Sequence, residues 1–369
     1  MSLDPRTSAG DPLPESLPTE APIEFNEEQL LADPEFDEPL IAAGVRCHGG
    51  FIDGEYVSPR TVVRAPAIDA WQARLRREGS GVIDISSEFM PPQYPSLEQS
   101  KLLLCEGVQK PIIRSLTMIS IVEGFGAMIR DVPIPDLRAA IKEDIAGTAL
   151  AHLTTGLFEA HARDEAGHRD QGGHKQMWEA ARDLAFENPQ IPGDVLARLM
   201  QGRGRSRRPP LFPTLPEKVE GLIATMANVM VIEIFADGIF SWGEALLGDP
   251  EVSAAPAAAS QMVSYIRSDE HPHVEYLRTA LSEIRCRTLV TVDGGEIPGR
   301  EVVDQILVQQ LRGIASSRPR EQREALYDEI RTDIGETNLA SELLRKFSAL
   351  DDGWTFPRAE DEQIEIALS

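Results

Sequence analysis

The chain is short of cysteine, of basic residues and of long apolar runs, and each shortage closes off a class of protein. Its three cysteines, Cys47, Cys105 and Cys286, are an odd number in no C-x-x-C pairing. That argues for reduced thiols and against a disulfide framework. Lys and Arg number 36 against 60 Asp and Glu, for a net charge of −24. Phosphate binding needs a basic surface, so nucleic acid is not an expected partner. No uninterrupted apolar run reaches membrane-spanning length, so no membrane partner is expected. The N-terminal MSLDPRTSAGDPLPES lacks a basic stretch followed by an apolar one, so no signal peptide is expected and the cytoplasm is the default location.

What is present in quantity is helical periodicity. Residues 1–95 are expected to form an acidic, Pro-rich N-terminal arm and an irregular packing segment with a hairpin-like stretch, GGFIDGEYVSPRTVV. Residues 96–285 hold four long segments with apolar residues three and four apart, the mark of an all-α domain. They run over about Ser96–Arg130 (with Pro111 as a kink), Asp136–His168, Pro216–Leu247 and Pro256–Arg285. The connection between the second and third contains an accessory helix, HKQMWEAARDLAFENP, and a basic patch, Arg203–Arg208. Residues 286–369 are expected to add a hairpin turn at LVTVDGGEIPG, accessory helices and an acidic tail.

The four segments repeat one chemical pattern. Glu-x-x-His occurs twice, as Glu165-Ala-Gly-His168 and Glu270-His-Pro-His273, and an Asp (Asp164, Asp269) precedes each Glu. Composition alone would yield this four-residue pattern about 0.04 times in such a chain. Residues three apart project from one helix face, so each pair can offer a carboxylate oxygen and an imidazole nitrogen to one metal ion. The other two segments each carry a Glu in an apolar stretch, Glu123 in SIVEGFGA and Glu233 in VMVIEIFAD. A buried carboxylate is costly unless a cation neutralises it.

One Glu from each of two helices and one Glu-x-x-His from each of the other two resembles the ligand set of the ferritin-like di-iron and di-manganese carboxylate proteins. The order Glu123, Glu165-x-x-His168, Glu233, Glu270-x-x-His273 is similar to that of arylamine N-oxygenases, acyl-carrier-protein desaturases, bacterial multicomponent monooxygenases and ribonucleotide reductase small subunits. The resemblance covers about residues 96–285 and implies a ferritin-like four-helix bundle with additional helices. It further implies that Glu165 and Glu270 bridge two metals, with Glu123 and His168 completing one and Glu233 and His273 the other. Asp164 and Asp269 would hydrogen-bond the ligand histidines. Where monooxygenases and desaturases often read DExRH, Gly167 and Pro272 stand instead, and Gly172 replaces the radical Tyr of a ribonucleotide reductase.

Rivals exist on the helices: Glu106 on the first segment, Asp237 and Glu244 on the third. His161, one turn before Glu165, is a candidate additional ligand. His174 and His271 rank below it, and His48 and His152 have only their residue type in their favour. The resemblance implies a non-haem di-iron oxygenase that oxidises a small organic substrate by hydroxylation or N-oxygenation. Its cofactors would be two Fe ions (Mn/Fe or Mn/Mn being alternatives), with O2 as co-substrate and an external electron donor. The alternatives are a desaturase or oxidase acting on carrier-bound acyl chains, and a non-catalytic iron-binding or ferroxidase protein. A homodimer and an acidic carrier protein docking on the basic patch are the further partners considered. Small residues beside Glu123 (Ser120, Gly124, Gly126, Ala127) would either open a substrate cavity or serve helix packing.

Overall fold

The computed structural model describes residues 23–197, 209–316, 318–335, 338–351 and 367–368. Most of the acidic arm, the basic patch Arg203–Arg208 and most of the acidic tail lie outside them. The described chain is mostly helical, with a few short strands.

The N-terminal part is more built than a loose arm. After α1 (Glu27–Leu30), capped by Asn26, strands β1 (Glu38–Ala42), β2 (Val45–Ile52) and β3 (Glu55–Val57) form an antiparallel sheet in that order. The expected hairpin is its β2–β3 pair. Helix α2 (Arg64–Arg77) follows and buries Ala67, Ile68, Trp71 and Leu75. A fully buried Leu or Trp contributes about 1.5–3 kcal/mol or more through area removed from water, so this segment is part of the core.

The first long segment is two helices: α3 (Leu97–Cys105), opened by a Ser96/Gln99 capping box, and α4 (Lys110–Gly126). Pro111 starts α4 where its missing N–H costs nothing, and does not kink a longer helix. The second segment departs furthest from expectation. It is a short α5 (Leu137–Ala140), extended chain, a 3-10 turn over Ala149–His152, an irregular turn with Gly156 at φ 112°, and then α6 (Phe158–Ala166). Buried Glu283 accepts the Ala149 and Leu150 N–H groups, both at 3.0 Å, and so satisfies the turn in place of a helix. Burial pushes the Glu283 carboxyl up to about 7.

After α6 a loop over 167–173 turns back on itself, with His168 bridged to Gln171 and Gly173 returning beside Gly167, and α7 (His174–Phe186) begins. The third and fourth segments are single helices, α8 (Glu217–Leu247) and α9 (Pro256–Arg285), which pack along each other. Helix α9 continues through Pro272. A short hairpin (Thr288–Val290 with Glu296–Pro298) leads to α10 (Gly299–Ser316), α11 (Arg318–Ile334) and α12 (Asn338–Ala349).

Two helices correct the hydropathy expectation. Lys110–Asp131 and α8, at mean hydropathy 1.5 and 1.7, are long and apolar enough to cross a membrane by length and composition. Their windows tolerate one or two charges, which a search for uninterrupted runs misses. Each has 44% of its apolar window buried; the first turns Glu123 toward the protein interior, and α8 turns Glu220 and Glu233.

The buried apolar residues form two cores with a polar seam between them. Along α8, Val219–Val231 belong to one core and Ala236–Leu247 to the other, with Glu233 between. Along α9, Ala259–Ile266 and Tyr276–Ile284 divide the same way around Glu270 and His273. Helix α6 lies in the first core and α7 in the second, so the loop between them falls at the seam.

Candidate metal centre

The seam gathers seven potential donors from five helices: Glu123 (α4), His161 and Glu165 (α6), His174 (α7), Glu233 (α8), and Glu270 and His273 (α9). Glu165 Oε1 is the hub, 3.6 Å from His161 Nε2, 3.5 Å from His174 Nδ1 and 3.4 Å from His273 Nδ1. Three groups could each hold an ion: His161, Glu165, Glu233 and His273; Glu165, His174, Glu270 and His273; and, on the far side of His174, His48, His174 and Asp269. Glu123 Oε2 lies 3.8 Å from His174 Nδ1, at the edge of the second group.

The decisive feature is what these atoms do not bond. His161 Nε2, Glu165 Oε1, both nitrogens of His174 and Glu270 Oε1 are buried without a hydrogen-bond partner. His174 Nδ1 and Glu270 Oε1 are only 2.8 Å apart yet not aligned for a hydrogen bond. A buried unsatisfied polar atom costs about 1–3 kcal/mol, and four of these five, all but His174 Nε2, face one spot and need a common partner. Carboxylate oxygens and imidazole nitrogens converging on one point fit a divalent transition-metal ion.

Electrostatics agree. Burial, then the neighbouring Glu165 and Glu270, push the Glu123 and Glu233 carboxyls well above the ordinary range. Burial disfavours charge on His174 and His273, but the adjoining carboxylates, Glu270 foremost, raise both well above a free imidazole. Burial likewise opposes ionisation of Glu270, yet His174 and His273 hold it low. Without an ion, protons on the histidines serve as the counter-charge to the carboxylates.

Both Asp residues face histidines, but across helices. Asp164 accepts from His273 Nε2 at 2.9 Å. Asp269 Oδ2 lies 3.6 Å from His174 Nε2 and accepts from His48 Nε2 and the Tyr56 hydroxyl, each at 2.8 Å. Asp164 is also gripped by Arg60 and by Arg64 Nη1 at 2.7 Å, all three buried. Burial opposes ionisation of Asp164, but the two guanidinium groups hold its carboxyl well down. Asp269 is held at about 2 against the same desolvation by the adjoining His174 and by the bond from His48.

His168 is not brought into this cluster. Helix α6 stops at Ala166 because Gly167 takes φ 83°, and a Cβ there would lie 2.4 Å from the Gln171 carbonyl oxygen. His168 therefore sits in the loop, its N–H donating to the Gln171 carbonyl, while His174 occupies the seam. The i, i+3 geometry expected of Glu165 and His168 requires a helix that Gly167 ends. His161 does face the cluster, stacked on His273 with ring centroids 3.9 Å apart. The rivals lie outside it: Asp237 and Glu244 pair with Arg267, and Glu106 with Lys346.

The small residues beside Glu123 serve packing at Gly124 and Gly126. A Cβ at Gly126 would stand 2.5 Å from Glu165 Cγ, and one at Gly124 would meet Lys175. A hollow of about 640 Å³ along α10, from Asp304 to Gly313, touches none of the cluster residues.

Sequence reasoning missed Tyr56, Arg60, Arg64 and Tyr276, and ranked His174 low and His48 lower still. For His174 a signal existed: Gly167 ends one helix, and Gly172-Gly173 precedes the next, whose first residue is His174. No family model matches the chain, and no curated protein or solved structure matches it. The geometry therefore carries the functional argument.

The same geometry separates two histidines. Substituting His174→Ala should lower bound metal, whereas His168→Ala should leave it unchanged, as measured by elemental analysis of anaerobically loaded protein. Metal loss from the His168 variant equal to that from the His174 variant would contradict the placement.

Proposed function

We propose that the chain is a ferritin-like di-metal carboxylate protein that activates O2 to oxidise a small organic substrate, a non-haem di-iron oxygenase. In this account α4, the end-to-end pair α6–α7, α8 and α9 are the four rods of the bundle, and α2 with the N-terminal sheet closes it. The observation that carries the proposal is the set of buried, unbonded donor atoms on Glu165, Glu270, His161 and His174, joined by Glu123, Glu233 and His273. Four carboxylates balance two divalent charges, which suits a reduced iron pair. Bound there, two irons would supply electrons to O2 and Lewis acidity to the oxidation.

The residues have definable tasks. Glu165, the shared oxygen hub, would hold both ions, with Glu270 and Glu233 on either side. Asp164 fixes His273 by accepting its Nε2 proton, which leaves Nδ1 directed at the seam. The two apolar cores exclude water from either end of the centre.

The test is anaerobic Fe(II) loading followed by O2, with oxygen uptake and organic products followed over a panel of amines, aromatics and carrier-bound acyl chains. Substrate-dependent uptake with an oxidised product is expected. Oxidation of iron with no product from any substrate would replace this proposal with iron handling.

A further inference from the structure

We infer that the two metal positions are inequivalent, and that the position formed by His174 and Glu270 fills first and more tightly than the one formed by His161 and Glu233. This rests on the di-metal proposal above and concerns how the centre is assembled.

The difference lies in what stands behind each histidine. His174 directs Nδ1 at the seam and its other nitrogen toward the Asp269 carboxylate, 3.6 Å away. That carboxylate is itself fixed by His48 and Tyr56. His161 directs Nε2 at the seam, but its Nδ1 meets the neutral hydroxyl of Tyr276 at 3.1 Å, in a fully buried pair. A carboxylate behind an imidazole raises its basicity as a metal ligand, and a phenol does so far less. Asp269 and Tyr276 are therefore positioning residues of opposite strength.

The anions are also unevenly shared. Glu165 and His273 belong to both positions. The His174 position adds Glu270 and has Glu123 at its edge, whereas the His161 position adds Glu233 alone. A divalent ion gains more where more carboxylates surround it. Ligand basicity and local charge thus favour the same position.

Anaerobic calorimetric titration of the metal-free full chain with Mn(II), with free Mn(II) counted by electron paramagnetic resonance, reads this directly. Two steps are expected, the tighter at least about tenfold stronger. Asp269→Asn should weaken the tighter step by about 10–100-fold. Tyr276→Phe should leave the tighter step within about twofold and weaken the other. Folding of each variant is checked by circular dichroism; if Asp269→Asn does not fold, Tyr56→Phe probes the same carboxylate. Two ions of equal affinity, or Tyr276→Phe weakening the tighter step, would overturn the inference and leave the di-metal proposal standing. No bound Mn(II) at all would overturn both.

Discussion

Stripping metal from the protein should lower its melting temperature by on the order of 10 °C, and by more at pH 8 than at pH 6. An ion held at a hundred times its dissociation constant adds about 2.7 kcal/mol, and two add about twice that. In a chain of this size each kcal/mol moves the melting point by roughly 2 °C. The pH trend follows from the metal-free electrostatics. Burial and neighbouring carboxylates raise Glu123 and Glu233 above the unfolded range, and adjoining carboxylates, against burial, raise His174 and His273. A group with a raised folded value adds stability fully below its unfolded value and loses it as pH rises through the folded one. All four therefore weaken the metal-free protein between pH 6 and 8. Asp164 and Asp269, whose values are depressed, lose their contribution only in acid and do not change over that window. Metal needs the deprotonated ligands, so its binding releases protons and strengthens with pH. Scanning calorimetry at both pH values, at verified metal content, measures the gap. Equal melting points, or a gap that narrows toward pH 8, would count against the account.

The second large effect should come from Asp164. Replacing it with Ala strands Arg60 and Arg64, both buried, without their shared counter-charge. Removing one partner of a buried ion pair costs about 3–5 kcal/mol, because the remaining charge cannot reach water. Arg64→Ala in the Asp164→Ala background should cost much less than Arg64→Ala alone, with a coupling of about 1–3 kcal/mol. Urea unfolding of the two single variants and the double variant provides the cycle. A cost below about 1 kcal/mol for Asp164→Ala, or strict additivity, would show that the triad is not the structural joint between α2 and α6.

These residues also show what the sequence made legible. Long periodic stretches with few breakers, Glu217–Leu247 and Pro256–Arg285, read directly as helices because tertiary contacts only reinforce their period. Glu233 was visible because a lone carboxylate among Val, Ile and Met is anomalous whatever the fold. The second segment was less legible because Gly156 and Gly167 act through backbone conformation, which apolar spacing does not report. His174 was hidden by the loop over 167–173: it takes the place expected of His168 because that segment loops out and returns, not through helical spacing. Arg60, Arg64, His48 and Tyr56 carry no local mark at all. They reach the centre from 100 or more residues away in sequence, and only the folded chain brings them to Asp164 and Asp269.

The central claim is that Glu165 lies between two metal ions in the seam separating the two apolar cores. Anomalous diffraction at the iron edge, from crystals grown with Fe(II) under anaerobic conditions, tests it most directly. The account predicts two peaks about 3.5–4 Å apart, with Glu165 between them, His174 and Glu270 on one, His161 and Glu233 on the other, and His168 on neither. A single peak, no peak within this cluster, or an ion ligated by His168 would contradict it.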